Sequence, residues 1–207
     1  LVVTYNEQRA REIEEDYKLF CSQVYVIPPR DLIFFSADLQ GNAIIAERMK
    51  AFAALYQNEA KVIITTMDAL MSAAVPFEQL MSHVIKLKEG DELDLEKLKH
   101  DLTVMGYERV GRVEEPGQFT VHGGIADVYP LTMEVPVRIE LWGDEIDTIR
   151  CFEPQSQRSM DQIECVSVFP AAEVIADDTA RRRAVGMIQN ELESQLAVFK
   201  KAKEPDK

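Results

Sequence analysis

Long apolar runs and an excess of positive charge are both missing from this 207-residue sequence. No uninterrupted apolar stretch approaches the roughly 20 residues that a membrane-spanning helix needs. The chain has 23 basic and 36 acidic residues, which gives a formal net charge of -13. Because this charge repels a phosphate backbone, the composition argues against general binding of nucleic acid. The short apolar runs exclude a membrane protein.

Cysteine and histidine are also scarce, and their spacing is not that of a chemical site. The cysteines Cys21, Cys151 and Cys165 lie far apart, with no C-x-x-C pair and no histidine at a metal-ligand interval. We interpret them as buried thiols of a cytoplasmic protein. The three histidines form no recognisable pattern with a Ser or Cys nucleophile. The sequence therefore predicts no metal ion, no cofactor and no catalytic residue in this chain.

The motifs of nucleotide hydrolysis are missing too. An α/β protein that hydrolyses ATP holds the phosphates with a G-x-x-x-x-G-K-[ST] loop, and no such segment occurs in the sequence. The stretch Asp144-Glu145-Ile146-Asp147 has the letters of a D-E-x-D metal-binding box. Gly143 precedes these acids, and they do not end a buried apolar strand, so we interpret the stretch as a hairpin turn.

Residues 1–85 alternate between apolar strands and amphipathic helices. Strands are predicted at Leu1 to Thr4, Val24 to Ile27 and Lys61 to Thr66, and helices at Glu7 to Phe20, Ala43 to Tyr56, Met67 to Met71 and Phe77 to Met81. Strands that are apolar on both faces and separated by helices are typical of a parallel sheet covered on two sides. We therefore expect the first part of an α/β domain here.

Residues 86–170 follow a different pattern. A helix from Leu95 to Met105, capped by Asp94 and ended by Gly106, precedes a series of short strands with a period of two. These strands are Arg109 to Val113, Gln118 to His122, Ile125 to Tyr129, Val137 to Trp142, Glu145 to Phe152 and Glu164 to Phe169. The pattern predicts an antiparallel sheet with one helix, inserted into the α/β domain as an α+β domain.

Residues 171–207 are predicted to form a polar helical segment. The helix from Asp178 to Lys203 has only a thin apolar stripe, at Val185, Ile188, Leu192, Leu196 and Phe199. Because this stripe is too thin for an independent core, we expect the helix to pack on the first domain.

The inserted sheet offers one set of side chains that a partner could bind. In the predicted strand V-R-I-E-L, the period of two places the apolar residues on the core face and turns Arg138 and Glu140 to the other face. The same rule exposes Thr120 and His122, and Arg109 lies on the strand that we expect to pair with theirs. One face of an antiparallel sheet can stay open to solvent, so these five residues form a candidate patch. The alternative is a solvated sheet face with ordinary cross-strand charge pairs.

One short and two long motifs carry a resemblance to a known family. They run from Tyr107 to Val110, from Pro116 to Pro130 (P-G-Q-F-T-V-H-G-G-I-A-D-V-Y-P) and from Val137 to Arg150 (V-R-I-E-L-W-G-D-E-I-D-T-I-R). With Gln157-Arg158-Ser159 and the segment Val168 to Ala171, they resemble the UvrB-homology module. This module is shared by the excinuclease subunit UvrB and the bacterial transcription-repair coupling factors, and the spacer residues are more similar to the coupling factors.

The resemblance implies a fold, a partner and a set of site residues. Residues 1–85 and 171–207 would form one helicase-like domain without a phosphate loop, and residues 86–170 would be an inserted domain that binds UvrA. By position, the binding role falls on Arg109, Thr120, His122, Arg138 and Glu140. Thr120 and His122 stand where the UvrB branch has arginines, whereas the other three keep the residue type. RNA polymerase, DNA, and ATP with Mg are expected to bind other domains of the parent protein.

Two classes of function remain open from the sequence. In the first, the chain is a non-catalytic module that recruits UvrA to stalled transcription complexes for nucleotide excision repair. In the second, it is a fragment of an ATP-dependent DNA helicase or translocase that retains nucleotide-dependent DNA-processing activity, which the α/β section suggests. The binding face would also suit a masking domain of the parent protein that covers it until the protein engages polymerase.

Overall fold

The computed structural model describes residues 1–30, 39–72, 75–175 and 178–202. The chain divides into two compact units, Leu1–Val174 and Ile175–Lys207. The first unit begins with alternating strands and helices: β1 (Val2–Thr4), α1 (Glu7–Lys18), β2 (Val24–Ile27), α2 (Leu39–Tyr56), β3 (Val62–Thr66), α3 (Met67–Met71) and α4 (Phe77–Met81). The domain boundaries predicted within this unit and after it stay predictions.

The first three strands form a parallel sheet in the order β1-β3-β2. Its core contains Ala10 from α1, Val24 and Val26 from β2, and Ile64 from β3. Helix α1 begins where the side chain of Asn6 accepts a hydrogen bond from the backbone N–H of Arg9 at 2.8 Å, as an N-cap does. The predicted parallel sheet is confirmed, whereas the likeness to a helicase domain stays a prediction.

The rest of the first unit contains one helix and eight strands. They are β4 (Ile85–Lys88), α5 (Leu95–Val104), β5 (Glu108–Arg109), β6 (Gln118–His122), β7 (Ile125–Val128), β8 (Val137–Trp142), β9 (Glu145–Phe152), β10 (Ser159–Gln162) and β11 (Cys165–Val168). Six of the strands form a sheet in the order β10-β9-β8-β7-β6-β5. The mixed class of the chain, with an antiparallel sheet beside one helix, is therefore as predicted.

Two details of the pairing differ from the prediction. Strand β5 contains only Glu108 and Arg109, and it pairs with β6 in parallel, not as a hairpin. In the segment between these strands, Val113 packs against Tyr129 and Phe152. The segment returns the chain to the start of the sheet edge, so β6 runs in the same direction as β5. The strand predicted at Glu164 to Phe169 is β11, and it lies outside the six-stranded sheet. It pairs instead with β4, an alternating segment far from it in sequence, in a separate two-stranded sheet.

The main core lies on one face of the six-stranded sheet. The buried residues of this cluster come from α5 and Tyr107, from the inward positions of β6 to β9, and from the β4–β11 pair. Asp94 caps α5 by accepting hydrogen bonds from the N–H groups of Glu96 and Lys97, as predicted. The cysteines are all free, but only Cys151 is buried; Cys21 is half-buried, and Cys165, at the start of β11, is exposed.

The second unit contains the helix α6 (Asp178–Ala202), which confirms the predicted helical segment. Its apolar residues Val185, Ile188, Leu192 and Leu196 are exposed, and the side chain of Phe199, like residue Lys203, lies outside the described part of the chain. The expected packing of this helix on the first domain stays a prediction. None of the helices in the described ranges is long and apolar enough to cross a membrane.

Candidate protein-binding site

The candidate site lies on the face of the six-stranded sheet that is turned away from the main core, which we call the outer face. The strand register places two rows of side chains across it. One row contains Thr120, Asp127, Arg138 and Arg150, and the next contains His122, Ile125, Glu140 and Thr148. Since alternate residues of a strand share a face, the inward neighbours Phe119, Val121 and Ile139 pack into the core, as predicted.

Arg138 is held by a bidentate ion pair at the centre of its row. Its Nε donates to Oδ1 of Asp127 at 2.8 Å, and its Nη2 donates to Oδ2 at 2.7 Å. The guanidinium also lies over the ring of Phe152, 4.7 Å from its centroid. The hydrogen bond with Asp127 raises the pKa of Arg138 above its ordinary value. The guanidinium is therefore a charged group of fixed orientation, with 21% of the side-chain surface exposed.

The second row is more open. Glu140 is half-buried and accepts a hydrogen bond from Oγ1 of Thr148 at 3.2 Å, and His122 is exposed at the end of β6. Ile125 lies between them in the row and is 40% exposed. Trp142, two residues after Glu140 on the same face, is 83% exposed. This end of the outer face thus combines one carboxylate, one imidazole and an apolar surface.

The structure brings four of the five predicted site residues onto the outer face, and it differs from the prediction in the exposure of Thr120 and in the position of Arg109. Arg138, Glu140, His122 and Thr120 share the outer face, but Thr120 is buried rather than exposed, because its short side chain lies beside the longer Asp127–Arg138 pair. Arg109 is exposed on the edge strand, and its Cα is paired with that of Phe119, which belongs to the core side. The parallel pairing of β5 therefore separates Arg109 from the two rows.

The end of the outer face beyond Arg138 is covered by two loops. Val113, Tyr129 and Phe152 form a small buried cluster there. Gln157 links the β9–β10 loop to the β5–β6 loop. Its Nε2 donates hydrogen bonds to the carbonyl oxygen of Val113 at 3.1 Å and to that of Pro154 at 2.7 Å. The backbone at Gln157 has a φ of 61°, an uncommon conformation for a residue other than glycine. The accessible part of the outer face consequently extends from Arg138 towards Trp142.

Three residues of the outer face were missed by the sequence interpretation. Asp127 and Arg150 occupy outward positions of β7 and β9, and the period of two identifies both once the strand register is known. Trp142 follows Glu140 by two positions, so the same rule places it on the outer face. It is the single tryptophan of the sequence, and a tryptophan side chain is seldom so exposed to solvent.

Two sequence interpretations concern metal binding near this face. Among the residues that the structure describes, no group of three or more His, Cys, Asp or Glu is arranged to hold a metal ion. Gly143, at a φ of 66°, and Asp144 form the two-residue connection between β8 and β9, and Glu145 to Asp147 begin β9, so the interpretation of this stretch as a hairpin is confirmed.

Comparison with known proteins identifies the region that contains this face. Residues 85–173 match the family model described as the UvrB interaction domain. The transcription-repair-coupling factor of Staphylococcus haemolyticus (strain JCSC1435) is 35% identical over 197 residues, which is 94% of this chain and 16% of that protein. The factor of Bacillus subtilis (strain 168) is 30% identical over 207 residues, which is 99% of this chain and 18% of that protein.

The six-stranded sheet and its outer face thus lie within the region that matches the UvrB interaction domain. The chain as a whole is homologous to one segment of the transcription-repair-coupling factors, and it spans 16 to 18% of the length of the curated relatives named above. The resemblance found in the sequence is confirmed.

Proposed function

We propose that this chain is the non-catalytic docking module of a transcription-repair coupling factor, and that the outer face binds UvrA. In this way UvrA would be recruited to stalled transcription complexes for nucleotide excision repair. RNA polymerase, DNA, and ATP with Mg would bind other parts of the parent protein. The chain itself would need no cofactor, and a cytoplasmic location follows from the same function.

The observation that supports this function is the arrangement of the outer face within the matched region. Arg138 is fixed by Asp127, Glu140 lies one row away, and the exposed Trp142 follows on the same strand. Protein interfaces are dominated by a few arginine and aromatic anchors surrounded by polar groups. A face that needed only to be solvated would not require an exposed tryptophan on the same strand as an oriented guanidinium.

The alternative, a DNA-processing fragment, has less support. The parallel sheet β1-β3-β2 is the feature that suggests it, but the sequence has no phosphate-binding loop. DNA-stimulated ATP hydrolysis by the isolated chain, above the background of a mock purification, would favour this alternative over docking.

Titration of purified UvrA against the chain tests the docking function. Glu140→Lys reverses the charge in the second row and should weaken binding by at least about tenfold, because like charges across an interface are strongly unfavourable. Glu78→Lys is the matched control, since Glu78 is exposed on α4 and the charge change is identical. Circular dichroism establishes that both variants fold.

The outcomes separate the hypotheses. Weakening by Glu140→Lys with normal binding of Glu78→Lys supports the outer face as the docking surface. Equal affinity of both variants and the wild-type chain removes the outer face from the interface. If the wild-type chain does not bind UvrA at micromolar concentrations, the docking function itself is wrong.

A further inference from the structure

Arg150 is the one cation of the outer-face rows that has no acidic partner among the described residues. It lies beside Arg138 in the strand register, on the neighbouring strand β9. Both carboxylate oxygens of Asp127, the acid of this row, are already bound by Arg138. Gln162, the partner of Arg150 on β10, donates its amide to Glu89 instead.

The Nε group of Arg150 is a buried donor without a hydrogen-bond acceptor in the described part of the chain. A buried N–H that lacks an acceptor is unfavourable, because it has lost water and gained nothing in exchange. The residue as a whole is half-buried, so part of its surface can be reached by another molecule. A carboxylate of another molecule that approaches the accessible part of Arg150 would neutralise the charge that no acid of the described residues balances.

The charge pattern indicates the chemistry of that acceptor. The region from Val84 to Pro170 has nine basic and 18 acidic residues, so two adjacent arginines on its outer face are a local exception. A guanidinium presents two parallel N–H groups that match the two oxygens of a carboxylate. Two arginines at paired register positions, only one of which has an acidic partner among the described residues, favour an acidic side chain on the incoming surface.

We propose that Arg150, beside Arg138, receives a carboxylate side chain of the bound partner; this inference rests on the docking function proposed above. The position of Arg150 extends the docking surface from the rows around Glu140 to strand β9. The partner surface must then carry an Asp or Glu opposite β9, at the level of Arg138 and two rows away from the groups that contact Trp142.

The test compares the affinity of purified UvrA for Arg150→Gln and Arg9→Gln at several salt concentrations. Both variants lose one positive charge, but Arg9 lies on α1, where it is bound to Glu12. Arg150→Gln should weaken binding by at least about tenfold, the usual effect of losing a charge-assisted hydrogen bond in an interface, and should reduce the salt dependence of the Kd. Arg9→Gln should bind as the wild-type chain does.

The thermal stability of the free chain distinguishes binding from a structural role. Removing an unsatisfied buried donor should leave the Tm of Arg150→Gln unchanged or raise it, whereas a structural arginine would lower the Tm. A fall in Tm that accompanies the weaker binding overturns the proposal. Wild-type affinity of Arg150→Gln, with Glu140→Lys still impaired, overturns it while the docking function stands.

Arg150→Lys provides a second measurement that does not depend on the folding of the glutamine variant. The lysine keeps the charge but lacks the paired N–H groups, so UvrA should bind Arg150→Lys more weakly than the wild-type chain. If Arg150→Gln folds, the affinity for Arg150→Lys should be higher than that for Arg150→Gln. Wild-type affinity of Arg150→Lys contradicts bidentate binding. Absence of binding by the wild-type chain overturns both this inference and the docking function.

Discussion

At the scale of single residues, the ion pair between Arg138 and Asp127 determines how the outer face presents its charge. Asp127 is 6% exposed and supplies both acceptors of the pair. A guanidinium bound in this way has one orientation, so little conformational entropy is lost when a partner binds. The pair also means that Arg138 offers a partner donor groups of fixed direction, while Asp127 balances most of its positive charge.

Asp127→Asn should destabilise the chain by about 2 kcal/mol, because it leaves Arg138 partly buried without its counter-ion. Asp147→Asn is the control, since Asp147 is exposed on β9, and it should change the stability by less than about 0.5 kcal/mol. Urea denaturation measures both changes. Equal stability of the two variants would mean that the pair does not hold Arg138.

Sequence patterns predicted much of this face at the residue scale, with two exceptions that have physical causes. The period of two placed Arg138, Glu140 and His122 correctly, because each lies inside a regular strand. Arg109 and Thr120 depend on the pairing direction of an edge strand and on the size of neighbouring side chains. Neither property is encoded in the alternation of polar and apolar residues.

At the scale of elements, the end of α5 is hydrogen-bonded to the segment that follows β11. Gly106 ends the helix with a φ of 92°, as the sequence predicted. The backbone N–H groups of Ala171 and Ala172 donate to the carbonyl oxygen of Met105 at 2.9 and 3.1 Å. The close approach is possible because residue 106 has no side chain.

Gly106→Ala should destabilise the chain by at least about 2 kcal/mol, from the left-handed backbone and from steric overlap. The added Cβ would lie 2.6 Å from Cβ of Ala172. Gly111→Ala is the control, since nothing lies within 4 Å of a Cβ there and its φ is not positive. Thermal unfolding of both variants checks this, and an unaffected Tm for Gly106→Ala would contradict the close contact.

Element boundaries were predicted best where the chain carries strong local signals. Strands β6, β8 and β9 and the caps of α5 follow from alternation, turn residues and Asp94. Strand β10, with the sequence Ser-Met-Asp-Gln, is exposed throughout and was missed, because its pairing with β9 does not require an apolar face. Strand β4 was missed because its partner, β11, lies far along the chain.

At the scale of the first unit, a buried ion cluster joins α2 to the end of the UvrB interaction domain. Glu173 accepts hydrogen bonds from Arg48 Nη2 at 3.3 Å and from Arg30 Nε at 2.7 Å. Arg48 is 2% exposed and also donates to the carbonyl oxygen of Pro28. The cluster ties Glu173, at the end of the matched region, to α2 and to the segment that follows β2.

Glu173→Gln should destabilise the unit by about 3 kcal/mol, because Arg48 would remain charged and buried without a full counter-ion. The ion pair between Lys50 and Glu134 provides the control, as it also joins α2 to the interaction domain but is exposed. Glu134→Gln should cost less than about 0.5 kcal/mol. Similar losses in the two variants, measured by urea denaturation, would contradict the difference in burial.

For the parent protein, the docking function allows the outer face to be covered by another domain until transcription stalls. Such masking would make UvrA bind this chain more tightly than the full-length protein. Equal affinities for the two would argue against masking and would leave recruitment unchanged. Comparing the two affinities therefore tests whether UvrA binding is regulated by masking, whereas the docking function itself depends on the outer face alone.

The most direct test of the docking surface is the affinity of purified UvrA for Trp142→Ala beside Phe20→Ala. Both aromatic side chains are exposed, at 83% and 88%, so neither substitution should alter the fold, but only Trp142 lies on the outer face. We predict that Trp142→Ala weakens binding by at least about tenfold, as loss of an interface anchor does, and that Phe20→Ala binds as the wild-type chain. Wild-type affinity of Trp142→Ala, or equal weakening by both substitutions, would contradict the outer face as the site of docking.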